Sequence, residues 1–271
     1  MMKVQVMKPL FLSLLLLLVP VSSAVAYDPG SGDLFTASFS SGSLAPLIDY
    51  PVPAIGFGRF VVPPGEHYAW ANGMYGRTGG LGSPGYAQSA TIAPFVSPED
   101  YSVAFRFQPE VPPSTDLYLF YLTLRPSNDF RGVGWQFNVD HDGKMFIRRY
   151  KGAGQFGPSI VESSTGTVAL NQPSDQYLRC HIEGASGAVS VRMKVWNGSP
   201  QDEPAAWTIE GIDTDTDPLG GTGGVYFNVY YIPPLTTDPA DMTTPGTAFD
   251  DLDVFSEPQP SSSINSWTLY H

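Results

Sequence analysis

The chain has 271 residues, of which 28 are glycine, 26 are proline and only 15% are charged. Its formal net charge is −12 at pH 7, and such an acidic surface disfavours nucleic acid and anionic lipid as partners. Cys180 is the only cysteine, so an intrachain disulfide is excluded. Its alternation with Leu178 and Ile182 predicts a packed small hydrophobe rather than a reactive thiol.

Residues 1–26 have the composition of a secretory signal peptide. Lys3 and Lys8 give a basic start, residues 10–19 are apolar, and Ala24 and Ala26 fit a small-residue cleavage site. The apolar run is shorter than the roughly 20 residues of a transmembrane helix, and no second apolar span follows. We expect secretion, with 12 basic and 26 acidic residues left after cleavage, a net charge of −14.

Short strands separated by Gly- and Pro-rich turns are predicted along the remaining chain, as is typical of an all-β protein. Residues 27–255 have a suitable length for a single β-sandwich domain, and residues 256–271 are expected to form a tail with at most one weak strand. The predicted strands are 34–39, 56–62, 87–92, 101–108, 116–125, 133–139, 144–150, 165–170, 176–183, 188–196, 205–210, 223–231 and 247–255.

The clearest pattern lies in residues 176–196. Apolar residues alternate with polar residues in the segments 176–183 and 188–196, and this period of two predicts two half-buried strands. The short glycine-bearing link at 184–187 predicts that they form an antiparallel hairpin. A second hairpin turn is predicted at residues 140–143, which contain an Asp-Gly pair.

The order of these segments resembles the concanavalin A-like lectin/glucanase superfamily, in its laminin-G-like extracellular branch. The similarity rests on the arginine-bearing strand 177–183, the tryptophan-bearing strand 189–196, the Pro/Trp segment 204–207, the glycine-rich turn 220–225 and the Phe-Asp-Asp strand 249–254, with residues 39–44 resembling the opening of such domains. It implies an all-β jelly-roll sandwich of two curved antiparallel sheets over residues 33–255.

Glycoside hydrolysis with retention needs two carboxylates about 5–5.5 Å apart. The family 16 hydrolases of the resembling superfamily carry them as Glu-x-Asp-x-Glu, and none of the eight glutamates after residue 26 has that spacing. We therefore expect no hydrolase of that kind, while a hydrolase or lyase with an atypical site stays open.

Asp250, Asp251 and Asp253 lie on the predicted closing strand. Acids so close together repel one another unless they are solvated or bind a cation, and calcium prefers carboxylate oxygens. The resemblance implies a structural Ca²⁺ held by Asp250 or Asp251 together with a backbone carbonyl near Asp33. Solvated edge aspartates are the alternative. Without a bulge, Asp251 and Asp253 would share one face with Phe249.

Planar hydrogen-bonding groups and aromatic rings alternate along three predicted strands, a combination found in sugar-binding grooves. If the three polar faces line one sheet, they form a carbohydrate groove. The candidate ligand-binding residues are Gln136, Asn138, Arg179, His181, Tyr226, Asn228 and Tyr230. Trp135 and Trp196 would add stacking area in the groove, or else cover edges of the core.

The sequence thus favours a secreted, non-catalytic, lectin-like β-sandwich that binds a poly- or oligosaccharide. A structural or adhesive extracellular module without a sugar site is the first alternative, and an atypical hydrolase or lyase is the second. A lectin needs an open groove with aromatic rings, an enzyme needs a carboxylate pair or a His/Tyr/Arg cluster within it, and a structural module needs neither.

Overall fold

A computed structural model describes residues 27–39, 42–49, 59–62, 69–72, 87–93, 100–109, 117–127, 133–152, 155–172, 175–185, 187–217, 219, 224–232 and 247–256. The predicted signal peptide and residues 257–271 of the predicted tail lie outside the described residues. Within those ranges, no helix is long and apolar enough to cross a membrane.

The described residues form fifteen strands and one short 3-10 helix, Pro200–Asp202. The strands are β1 (Phe35–Ala37), β2 (Ile48–Asp49), β3 (Arg59–Val61), β4 (Ala69–Asn72), β5 (Ala87–Ala93), β6 (Tyr101–Gln108), β7 (Leu117–Leu124), β8 (Gly134–Asp140), β9 (Met145–Tyr150), β10 (Phe156–Glu162), β11 (Gln176–Glu183), β12 (Val189–Asn197), β13 (Ile209–Asp213), β14 (Val225–Ile232) and β15 (Ala248–Ser256).

The strands form two antiparallel sheets. Sheet A has the order β13-β12-β11-β6-β15-β4-β3, with β1 also paired to β15, and sheet B has the order β10-β9-β8-β7-β14-β5-β2. The chain crosses between the sheets repeatedly, for example from β6 to β7, from β10 to β11 and from β13 to β14 to β15, so neighbours in a sheet are often distant in sequence. This arrangement is a two-sheet antiparallel jelly roll, and it confirms the predicted fold class.

Both predicted hairpins are confirmed. Strands β11 and β12 pair along their whole length, from Gln176 opposite Asn197 to Glu183 opposite Ser190. In the turn between β8 and β9, one carboxylate oxygen of Asp140 accepts hydrogen bonds from two backbone N–H groups that follow it, each at 2.9 Å.

Two strand predictions are wrong. The strand predicted at residues 205–210 overlaps β13 only at its last two residues, and the strand predicted at residues 165–170 is absent. Residues 165–170 form turns and bends, and the strand beside β9 is instead β10. The periodicity of β10 is obscured because its pairing with β9 is interrupted at two places. As an edge strand of sheet B, it tolerates Gly157 and Pro158, which a central strand would not.

A cluster of phenylalanine rings fills the space between the sheets. Phe227 of β14 stacks on Phe249 of β15 with ring centroids 4.6 Å apart, and Phe105 of β6 contacts both Phe227 and Phe120 of β7. These four side chains are completely buried, and burying one such ring is worth about 1.5–3 kcal/mol. Their burial fixes which side of each strand faces the core and which side is left for other roles.

Strand β15 contains a bulge between Asp250 and Asp253. Asp251 occupies it with a φ of +51°, a left-handed conformation that Asp and Asn tolerate better than most residues. The expectation that Asp251 and Asp253 share a face with Phe249 is therefore wrong. Phe249 joins the core cluster, whereas Asp253 turns toward the N-terminal segment.

Asp253 holds the N-terminal segment against β15. Its buried carboxylate accepts hydrogen bonds from the hydroxyl groups of Tyr27 at 3.0 Å and Thr36 at 2.5 Å. It also accepts from the backbone N–H groups of Gly30 at 2.8 Å and Gly32 at 3.1 Å. Burial, followed by the negative charge of Asp253, raises the pKa of the Tyr27 phenol, so this group stays a donor.

Candidate functional site

The outward face of sheet A is covered by other parts of the chain. Tyr27 packs edge-on against Tyr177 and Trp196, with centroids 6.0 and 6.2 Å away. Trp196 stacks on Tyr177 at 5.5 Å, and its indole N–H donates to the Ser199 carbonyl at 3.0 Å. All three rings are buried, so Trp196 covers a second small core rather than offering area to a ligand.

Arg179 belongs to a buried ionic cluster on the same face. Its guanidinium donates to Glu203 at 2.9 Å, and the Lys194 ammonium contacts the same carboxylate oxygen at 2.7 Å. The Glu203 side chain is only 1% exposed. The Arg179 guanidinium also lies over the Phe255 ring, so its charge is balanced within the protein.

His181 is likewise enclosed. Its Nδ1 lies 3.1 Å from the hydroxyl of Ser102, its Nε2 lies 3.1 Å from a carboxylate oxygen of Glu183, and Trp207 packs beside the ring. This Ser–His–Glu chain has the groups of a nucleophilic triad. However, Ser102 and His181 are both buried and hydrogen-bonded to each other, which is the arrangement of a structural contact between strands. The contacts instead hold β11 to β6.

The seven candidate residues therefore do not line one sheet, and the expectation of a single groove made by all of them is wrong. Arg179 and His181 lie on β11, which pairs with β6 and β12 in sheet A. The other candidates lie on β8 and β14 of sheet B. The alternation within each strand predicted the outward faces, but it did not determine which strands share a sheet.

Trp135 has the second of the two roles that the sequence left open, since it belongs to the core. It points into the core on the inner side of β8, and its indole N–H donates to Asp213 at 2.8 Å. Its neighbour Gln136 therefore faces outward, as does Asn138.

Outward side chains of sheet B form two rows that run across β14, β7, β8, β9 and β10. The first row is Tyr226, Thr123, Gln136, Arg148 and Ser159, and the second is Asn228, Tyr121, Asn138, Phe146 and Glu162. We call these ten residues the polar face. Adjacent strands lie about 4.8 Å apart, so each row extends over roughly 19 Å. Four of the seven predicted residues are thus brought together, while the side chain of Tyr230 lies outside the described residues.

Two asparagines flank Tyr121 in the second row and are both fully buried. The amide nitrogen of Asn138 donates to the backbone carbonyls of Gln136 at 2.9 Å and Phe146 at 3.2 Å. The amide nitrogen of Asn228 donates to the Tyr226 hydroxyl at 3.1 Å. Neither amide oxygen has a hydrogen-bond partner. Each is a buried acceptor that lacks a donor, which normally costs about 1–3 kcal/mol.

Aromatic rings surround Arg148 in the first row. Its guanidinium carbon lies 3.9 Å from the centroid of Phe156 and 5.2 Å from that of Phe146. Its Nε donates to the side-chain oxygen of Gln136 at 3.2 Å. Burial lowers the pKa of Arg148 from its ordinary value, but a guanidinium remains charged at neutral pH. Phe156 itself is 53% exposed.

A cavity of about 460 Å³ adjoins the polar face where β9 meets β10. Three polar-face residues, Phe146, Ser159 and Glu162, line it together with Asp140 and Lys144. Small-molecule sites commonly have about 300–1,000 Å³ and combine apolar walls with a few polar groups. The cavity and the two rows together offer ring surfaces, amides, hydroxyls and one guanidinium.

The predicted calcium ligands lie elsewhere, at the bulge of β15. Arg106 forms a short ion pair with Asp250 and lies 3.4 Å from both Asp251 and Asp175. The other oxygen of Asp250 accepts the backbone N–H of Phe39 at 3.1 Å. Calcium takes about six to eight oxygen ligands, and a guanidinium already contacts these carboxylates. The donor set at Asp250 and Asp251 therefore fits calcium poorly, and calcium binding there stays a prediction.

Asp140, His141 and Asp142 form the one group of three metal-ligand side chains among the described residues, with their donor atoms within 4.8 Å of one another. They lie on the β8–β9 turn, where His141 and Asp142 are exposed. Since Asp140 already stabilises this turn, the cluster gives no separate indication of a metal.

No family model matches this sequence, and no curated protein is significantly similar to it. Among solved structures, the metal-free carbohydrate recognition domain of Emp46p is 8% identical, with a TM-score of 0.40 over 64% of this chain and 79% of that one. The Ca²⁺/Man3GlcNAc-bound VIP36 exoplasmic/lumenal domain is 12% identical, with a TM-score of 0.36 over 73% and 87%. A native glycosidic hydrolase is 13% identical, with a TM-score of 0.41 over 88% and 99%.

Such values carry no functional argument for this chain. The two antiparallel sheets confirm the predicted two-sheet jelly roll, whereas membership of the concanavalin A-like superfamily and of its laminin-G-like branch stays a prediction.

Sequence reasoning missed several members of the polar face, chiefly Tyr121 and Arg148. Only Arg148 had a detectable signal in the sequence. Arg148 alternates with core residues on a strand that forms a predicted hairpin with the strand of Gln136, and this pairing would have placed both on one face. Tyr121 lies in a run that is apolar on both sides, where its phase could be assigned only from the pairing of β7 with β8 and β14.

Proposed function

We propose that this protein is a secreted, non-catalytic carbohydrate-binding β-sandwich that holds a saccharide chain along the polar face of sheet B. The pair of buried, unpartnered amide oxygens on Asn138 and Asn228 carries this proposal. Both oxygens are enclosed in the free protein, so a sugar hydroxyl would reach them only after neighbouring side chains move aside. A hydroxyl is a neutral donor that would then satisfy each oxygen without bringing a charge into a buried position. The ring of Tyr121 lies between the two asparagines in the same row.

The dimensions of the polar face support an extended ligand. Rows of roughly 19 Å cross five strands, and the adjoining cavity continues the surface past Phe146. Aromatic rings offer flat apolar area, while amides and hydroxyls provide directional hydrogen bonds, the combination expected where a ligand has one apolar and one polar aspect. Within the polar face, Tyr121, Phe146 and Arg148 are half-buried and Ser159 and Glu162 are exposed, so a ligand would approach from this part of the surface.

Secretion is part of the proposal and is supported by the composition of residues 1–26.

Calcium binding is a separate prediction from saccharide binding. The contacts of Arg106 supply positive charge where the resemblance placed calcium, so saccharide binding should not require that ion. Saccharide binding that disappears with chelator and returns with calcium would show that the metal is needed after all.

The test is affinity electrophoresis of the purified protein in gels containing soluble polysaccharides of varied linkage and charge. We expect retardation by at least one polymer, and its loss in Tyr121→Ala. Arg192→Ala is the matched control, because Arg192 lies on the outward face of sheet A and pairs with Glu183 at 2.6 Å. Circular dichroism of each variant establishes that it is folded.

The alternatives predict other outcomes. A structural or adhesive module without a sugar site would show no retardation by any polymer. An atypical hydrolase or lyase would shorten the polymer, which reducing-end assays and absorbance of unsaturated products would detect. Asp140 and Glu162 are the acids that line the cavity, so Glu162→Gln would abolish such an activity if they formed a catalytic pair.

A further inference from the structure

The polar face carries a charge that the proposed function leaves unexplained. We infer that the saccharide bears an anionic substituent, a carboxylate or a sulfate, and that Arg148 binds it. Because the net charge of −12 disfavours polyanions in general, the attraction is local to Arg148. This inference rests on the proposed carbohydrate-binding function and adds the chemical class of the ligand.

Arg148 differs from every other arginine whose side chain the structure describes. Five arginines have an acidic partner within ion-pair distance: Arg106 with Asp250, Arg125 with Asp100, Arg149 with Asp215, Arg179 with Glu203, and Arg192 with Glu183. No carboxylate of the described residues pairs with Arg148. In a chain with 26 acidic and 14 basic residues, an unpaired arginine is not explained by a shortage of acids.

The surroundings of Arg148 hold the guanidinium in place without neutralising it. Its Nε donates to Gln136, and the rings of Phe146 and Phe156 lie within 5.2 Å of the guanidinium carbon. Among the described residues, neither terminal nitrogen has a protein acceptor. A guanidinium held in this way presents a planar fork of N–H donors, a geometry that matches a carboxylate and also suits a tetrahedral oxyanion.

The position of the charge within the two rows is also informative. Gln136 and Asn138, on the neighbouring strand β8, are neutral, and Glu162 at the end of the second row is the only other charged member of the polar face. An acidic group at Arg148 would thus meet a cation, while neighbouring sugar hydroxyls reach Asn138 and Asn228. A neutral saccharide would leave the guanidinium without an anionic partner in the complex.

The experiment compares polymers that differ in the acidic group alone. Dissociation constants of the purified protein are measured by isothermal titration calorimetry for polygalacturonate, alginate and hyaluronan, and for the carboxyl-reduced form of each. A sulfated and a desulfated galactan form a second pair. The variants are Arg148→Gln, Arg148→Lys and, as the matched control on sheet A, Arg192→Gln.

We expect an acidic polymer to bind about tenfold or more tightly than its neutral counterpart, the effect of a charge-assisted hydrogen bond. Arg148→Gln should remove that preference, Arg148→Lys should keep only part of it, and Arg192→Gln should keep all of it. A preference confined to the uronate or to the sulfated pair identifies the anionic group.

Two results overturn the inference and separate it from the proposed function. If neutral and acidic polymers bind equally, or Arg148→Gln keeps the preference, the anionic assignment is wrong while carbohydrate binding stands. If the wild-type protein binds none of the polymers, the proposed function fails and the inference fails with it.

Discussion

Asn228→Leu should stabilise the free protein while weakening its binding to saccharide. Asn228 is fully buried and its amide oxygen has no donor, a state that costs about 1–3 kcal/mol. Leucine has a similar volume and removes that oxygen, but it also removes the hydrogen bond to Tyr226 Oη, worth about 0.5–1.5 kcal/mol. The central values give a net gain in the free energy of unfolding of about 1 kcal/mol. For a domain of this size, that corresponds to a rise of about 2–4 °C in Tm.

Urea unfolding followed by tryptophan fluorescence measures the change in the free energy of unfolding, and affinity electrophoresis measures the change in saccharide binding. Asn138→Leu is the comparison, because it removes an unpartnered oxygen too but loses two hydrogen bonds to backbone carbonyls. The free energy of unfolding of Asn138→Leu should therefore stay close to that of the wild-type protein. A loss of more than about 1 kcal/mol in Asn228→Leu would mean that this amide oxygen has a donor in the free protein. The main support for the binding site would then be removed.

Three further predictions concern the covered face of sheet A and the closing strand. Asp253→Ala should lower the free energy of unfolding by about 3 kcal/mol or more, since buried donors lose a charged acceptor; a loss below about 0.5 kcal/mol, the size expected for exposed Asp142→Ala, would refute the anchoring role. Glu203→Gln should cost about 3–5 kcal/mol by leaving buried cations unpaired, and a neutral result in denaturant titration would contradict this. Burial, and then the charge of Asp250, raises the pKa of Asp251 from its ordinary 3.8. At pH values where this carboxylate is ionised, its charge therefore lowers the free energy of unfolding. Asp251→Asn, which also tolerates the left-handed backbone, should therefore raise stability by about 0.5 kcal/mol at pH 7 and lose this gain below pH 3.8, with calorimetry at both pH values as the check.

The parts of the fold that could be predicted depend on local patterns. Strands β6, β11 and β12 alternate strictly because each has one face in the core, and short turns join the hairpins. Strand β10 escaped prediction because its interrupted pairing breaks the period of two. The bulge at Asp251 was equally hidden, since a single extra residue shifts the faces of β15 without changing its composition.

The candidate site was only half predictable for a different reason. Alternation assigned Gln136, Asn138 and Arg179 correctly to outward faces. The sheet to which each strand belongs depends on pairings such as β7 with β14, whose residues are about a hundred positions apart. The contacts that occupy Arg179 and His181 come from the segment around Glu203 and Trp207, which folds over sheet A. Local sequence does not encode that packing.

The proposed function requires that saccharide binds along the polar face of sheet B. It is tested most directly by mapping backbone amide chemical-shift changes as the best-binding polymer's oligosaccharides are titrated into isotope-labelled protein. We expect saturable changes concentrated on β7, β8, β9 and β14, around Tyr121, Asn138 and Arg148. Changes concentrated on β11 and β12, or no changes with any saccharide, would contradict it.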